Sequence, residues 1–150
     1  MALATNLAVM RSSGGDQTKT AYPGSIPMVA PFYIADASVA TATNVKTSSA
    51  AGAPALILPA GAVVLSFAIT DAGAGSVDIG TRGYTSGTVV GAAIANGLDV
   101  SAIATIGVGA TVTGTAISAM SYVTVTIDTS GAGTVGGYIT YFVPSNGQYA

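Results

Sequence analysis

Asp71 and Asp78 bracket the segment DAGAGSVD, two carboxylates around a glycine-rich turn. Calcium loops use closely spaced aspartates with a glycine at the sharp bend. Here Ala and Gly hold most of the intervening positions and offer only main-chain carbonyls, so a plain hairpin loop is the simpler reading. Asp99 and Asp128 also sit in or beside turn signals, where aspartate commonly bonds nearby backbone. No two acids are placed as the facing pair that glycoside hydrolysis requires. The glycine-rich run DAGAG at 71–75 resembles a phosphate loop only in its glycines, because no lysine follows Lys46 and the loop needs G-x-x-x-x-G-K-[ST]. Tyr84, in the loop TRGYTSG, is the best candidate for an exposed aromatic.

The missing residue types are as informative. The chain has no His, no Cys and no Glu. Ser-His-Asp and Cys-His catalysis, disulfides and thiolate-bound metals are therefore outside its reach. Four Lys and Arg residues, widely spaced, cannot form the basic stripe that a phosphate backbone requires. The sequence is expected to be no enzyme, to hold no cofactor or metal, and to bind neither nucleic acid nor membrane. Only 7% of its 150 residues are charged, against roughly 25% in ordinary domains. Charge normally keeps free proteins apart, so this deficit favours contact with neighbours.

These residues need elements to position them, and the pattern is period two throughout. In Val63 to Ile69 the odd positions, Val63, Leu65, Phe67 and Ile69, form the more apolar face. In Tyr122 to Asp128, Val123, Val125 and Ile127 oppose Thr124, Thr126 and Asp128. In Thr134 to Val143, Val135, Ile139, Tyr141 and Val143 share one face, and Tyr138, Thr140 and Phe142 the other. Weaker strands fit Ser76 to Thr81, Thr88 to Ile94 and Thr111 to Ser118. Turn-forming clusters at 71–75, 81–87, 95–99, 107–110 and 129–134 separate them. This spacing predicts an all-β, antiparallel β-sandwich or jelly-roll-like domain over residues 55–150. The apolar stretch Ala55 to Ile69 is too short for a spanning helix and carries Pro59 and Gly61, so it reads as strand. The first residues, MALATNLAVMRSS, make a poor secretory signal: their apolar run is broken by Thr5 and Asn6 and followed by Arg11.

Residues 1–54 differ. They hold Pro23, Pro27, Pro31 and Pro54, four of the six prolines. In YPGSIPMVAPFYI, proline alternates with large apolar residues, the pattern of an extended segment laid across a surface. Two readings stand: an N-terminal loop with a short edge strand near Val39 to Lys46, or a docking arm anchored on a partner by Met28, Val29, Phe32, Tyr33 and Ile34. Twenty glycines and many alanines give little apolar area per residue, which predicts a marginal monomer completed by burial against neighbours.

Three segments carry a resemblance: LPAGAVVLSFAITDAGAGSVDIGT at 58–81, NGLDVSA at 96–102, and YVTVTIDTSGAGTVGGYITYFV at 122–143. Together they resemble the capsid cement, decoration and fibre-like virion proteins of tailed bacteriophages, over about the last two-thirds of the chain. The resemblance implies a virion protein of the capsid surface, made in the host cytoplasm. It implies binding to the major capsid protein, often as a homotrimer at lattice junctions, with no catalytic residues. The alternative is a receptor- or glycan-binding module of a head fibre or tail, with a saccharide site among the loops holding Tyr84 and Asp99. A bacterial surface or pilus-like protein is a third, weaker reading.

Overall fold

The structure, a computed structural model, describes residues 26–144. Nine strands form among the described residues: β1 (Met28–Ile34), β2 (Thr43–Asn44), β3 (Ile57–Leu58), β4 (Val63–Asp71), β5 (Ser76–Gly83), β6 (Val89–Asp99), β7 (Ala104–Gly107), β8 (Ser121–Ile127) and β9 (Val135–Phe142). They make two antiparallel sheets. Sheet A has the order β1-β9-β4-β7, and sheet B the order β2-β8-β5-β6 with β3 also on β8. The all-β expectation holds, and the arrangement is sandwich-like.

Alternation explains which side chains meet between the sheets. Sheet A contributes Phe32, Ile34, Phe67, Ile69, Val135 and Ile139, all nearly inaccessible. Sheet B answers with Val77, Ile79, Leu98, Val123 and Val125. Phe32 and Phe67 meet edge to face, centroids 5.9 Å apart at 82°, a favoured aromatic geometry. β9 lies inside sheet A with its odd positions inward and Tyr138 exposed on the other face.

β4 corrects the expected phase. Val64 pairs with Tyr141 and Ser66 with Thr140, so Leu65 is an extra residue, a β-bulge. The bulge flips the inward face, and Val64 rather than Leu65 joins Phe67 and Ile69 in the core. A bulge also explains why 95–99 is strand and not turn. Gly97, at φ 70°, lets β6 take an extra residue while its N–H donates to Asp78 Oδ1 at 2.8 Å. Thr111 to Ser118 forms no strand; only Val112 bridges, to Ala95 and Val108.

The segment expected as an arm is, where described, part of the sandwich. Met28–Ile34 pairs with β9 along its whole length, and Val45 is buried. The proline spacing concealed an ordinary edge strand whose alternate residues reach the core. Residues 1–25, which include the whole polar run RSSGGDQTKT and Pro23, and the turn signal Asn146-Gly147 lie outside the described residues. Both sheet edges are tied across. Tyr33 and Lys46 exchange N–H···O bonds of 2.7 and 3.0 Å, and Val45 N–H bonds Val123 O on β8. On the far side, 108–112 carries the chain from β7 to Ala95 of β6. No described helix is long and apolar enough to cross a membrane.

Candidate functional site

The two ends of the sandwich differ in chemistry. One end gathers the segments 36–38, 71–76, 99–101 and 128–133. They are laced by main-chain bonds: Ala37 N–H to Gly133 O, Ala74 and Ala132 to each other, Gly73 N–H to Val100 O, and Val100 N–H to Gly75 O. Asp36, Asp71, Asp99 and Asp128 all sit here. Two turns are built alike. In Asp36-Ala37-Ser38 and Asp99-Val100-Ser101 the carboxylate Oδ1 accepts from both the Ser hydroxyl and the Ser N–H, at 2.6–2.9 Å. The middle residue is fully buried in each. The serine hydroxyl, then the serine N–H, lowers the pKa of both aspartates. Asp128 accepts from Ser76 Oγ at 2.8 Å. Among the described residues no three potential metal ligands converge. Asp71 ends β4 on sheet A, whereas Asp78 lies within β5 on sheet B and its Oδ1 accepts from Gly97 N–H.

The opposite end carries apolar side chains. The register sets Ile57 opposite Tyr122, Tyr122 opposite Arg82, and Arg82 opposite Val89. Paired residues of an antiparallel ladder share a face, so these four form a row across β3, β8, β5 and β6 on the outer face of sheet B. Tyr84 follows the end of β5, and its ring lies 5.3 Å from that of Tyr122, tilted 36°. Its N–H donates to Met120 O. Ile57, Tyr84, Val89 and Met120 are all exposed. Arg82 is held: Nη1 donates to Asn44 Oδ1 at 3.0 Å and Nη2 to Ala42 O at 2.7 Å. The guanidinium therefore reaches from β5 over β8 to the β2 edge. A cleft of about 320 Å³ at the same end is lined by Thr81, Val90, Ile117 and Ser121.

The proposed anchors are distributed unevenly. Phe32 and Ile34 are 3% and 1% exposed and hold the core; they offer nothing to a partner. Met28 and Val29 are exposed on β1, the edge strand of sheet A among the described residues. Tyr33 is half-buried and engaged with Lys46. Tyr84 is exposed as expected, but it is not near Asp99. The two lie beyond opposite ends of β5, where Asp99 pairs with Ser76 and instead lines a separate cleft of about 230 Å³ with Gly97, Ala102 and Thr111. At about 3.3 Å per residue, β5 keeps them roughly 25 Å apart. Sequence reasoning missed Arg82, Tyr122, Met120, Ile57 and Val89. The signal that could have found Tyr122 is the alternation of 122–128, which puts it on one face with Thr124 and Thr126.

No family model, no curated protein and no solved structure matches this chain. Its site is read from geometry alone.

Proposed function

We propose that this chain is a structural, partner-binding protein and, following the resemblance of segments 58–81, 96–102 and 122–143, a cement or decoration protein of a phage capsid. In that reading it binds the lattice of the major capsid protein as a homo-oligomer, a trimer by preference, and stabilises the head from its surface. The observation that carries the reading is the segregation of the two ends. A sandwich with its clustered carboxylates at one end and exposed Tyr84, Val89, Met120 and Ile57 at the other suits a block seated on a protein surface with its acidic end outward. Non-obligate interfaces are depleted of charge at their core and enriched in Tyr, Met and Arg.

The test is the location and copy number of the protein in purified particles. Stoichiometric copies at lattice junctions, with heads that leak at lower temperature when it is absent, support the reading. A few copies confined to the tail would sink it. That outcome would favour a fibre- or tail-associated glycan-binding module, for which the Tyr84–Tyr122 pair beside Arg82 offers a stacking platform.

A further inference from the structure

The outer row on sheet B has a specific electrostatic character. Among the described residues Arg82 is the only cation on it, and its two hydrogen-bond acceptors, Asn44 Oδ1 and Ala42 O, are neutral. A guanidinium has five N–H donors, so donors remain after these two bonds. The carboxylate nearest along the ladder is Asp78, four residues away on the same strand and face, or about 13 Å. It accepts from Gly97 N–H. The other described aspartates lie at the opposite end. Among the described residues the charge of Arg82 is thus held at the β2 edge and paired with no acid, while the exposed Ile57 and Val89 share its ladder row.

Size decides what kind of occupant fits. Four strands at about 4.8 Å spacing make the row about 15 Å wide. Such a patch is on the order of a few hundred Å² at most, against about 800 Å² per partner in a stable complex of folded proteins. A second copy docked face to face would find too little area. An extended chain of four or five residues, at about 3.3 Å each, spans the same 15 Å.

We infer that Ile57, Arg82, Tyr84, Val89, Met120 and Tyr122 form a docking site for an extended peptide segment of a partner protein, one that places a carboxylate beside aliphatic or aromatic side chains. The carboxylate meets the free donors of Arg82, a charge-assisted bond that is strong for its size. The apolar neighbours lie on the Tyr84–Tyr122 pair and on Met120, whose unbranched thioether adapts to different shapes. The inference rests on the partner-binding reading and names the chemistry of the partner.

The test uses a display library of random 12-residue peptides selected on the immobilised full chain. The expected result is enrichment of Asp or Glu within two residues of an aliphatic or aromatic residue. The best such peptide, synthesised and measured by fluorescence anisotropy, should lose about tenfold in affinity for Tyr84→Ala and for Arg82→Lys, which is about 1.4 kcal/mol. It should lose as much when its own acid is replaced by the amide, and nothing for Asp99→Asn at the far end. Because Arg82 also ties β5 to Ala42 and Asn44, Met120→Ser serves as a second variant with no such tie; it should weaken the peptide severalfold. Recovery of basic peptides, or equal binding by wild type, Tyr84→Ala and Met120→Ser, would overturn the inference. So would dimers in sedimentation velocity that Tyr84→Ala abolishes, since a second copy would then be the occupant. No capsid enters this assay. An absence from virions would therefore leave it standing, and its failure would leave the copy-number measurement standing.

Discussion

The two ends of this sandwich are built by opposite means. At the carboxylate end, backbone meets backbone. A Cβ on Gly75 would collide with the Ser130 carbonyl, one on Gly131 with the Ala37 carbonyl, and one on Gly73 would approach Ala132 O to 2.6 Å. Glycine there lets three loops close on each other, and the acids cap them by bonding their own turns. At the aromatic end side chains do the work, and many remain exposed. Gly87 has the same φ as Gly75, 71°, but open space around it. The contrast teaches that a glycine-rich turn in this chain has two meanings. One is close packing of loops, and the other is only a change of direction beside a surface left available.

The largest predicted effect breaks the sealed end. Gly75→Ala combines left-handed strain of about 1–2 kcal/mol with a collision against main chain worth about 1–3 kcal/mol. It should lower the thermal midpoint by ten degrees or so, whereas Gly87→Ala, carrying the strain alone, should cost about 1–2 kcal/mol. Equal shifts in the two variants would show that the loops are not packed as described. Next comes Arg82→Met at the open end. It removes the donors to Ala42 O and Asn44 Oδ1 and should cost about 1–2 kcal/mol in urea unfolding, although Arg82 sits on a surface. Between the two ends, Thr124 of β8 is fully buried and its hydroxyl has no partner among the described residues. Thr124→Val removes that unanswered group and should be neutral or stabilising by up to about 1 kcal/mol; a loss above 1 kcal/mol would show that the hydroxyl is bonded.

The smallest effect is a pH dependence confined to the carboxylate end. Asp36 and Asp99 have pKa values lowered from 3.8 by Ser38 and Ser101. The folded chain therefore holds these protons less tightly than the unfolded chain. Their contribution to stability is complete above the ordinary aspartate range and disappears as pH falls below about 4 through the lowered values. Both groups are fully exposed, so the loss is small. The double variant Ser38→Ala with Ser101→Ala should reduce the drop in urea midpoint between pH 5 and pH 2.5. An unchanged drop would assign the acid response elsewhere.

Much of this fold is legible in period-two alternation. Val123 and Val125, and Val135 and Ile139, are buried as their spacing requires. What alternation misses is any place where the phase slips. Leu65 looked like a core residue because the bulge at that position is set by its pairing with β9, a partner distant in sequence. Asn96-Gly97 reads as a turn because a bulge and a turn ask for the same residue types. The N-terminal strand was masked by its prolines. The site was harder still. Tyr84 could be found as a loop aromatic, but Ile57, Tyr122, Arg82 and Val89 come from four strands, and only the ladder register puts them in one row.

The prolines of β1 carry a last consequence. Tyr33 turns its N–H and C=O away from β9, toward Lys46. By the alternation of an antiparallel ladder, Val29 and Pro31 point their backbone the same way, and Pro27 continues the phase. Along this margin, among the described residues, positions 27, 29 and 31 are Pro, Val and Pro, and proline has no hydrogen to donate. A foreign strand approaching here would find a single donor, that of Val29, between two gaps. Most proteins discourage such growth with lysines on the margin. A chain with so few charges leaves the task on this edge to stereochemistry: two copies meeting at β1 would lack the donors for a continuous ladder.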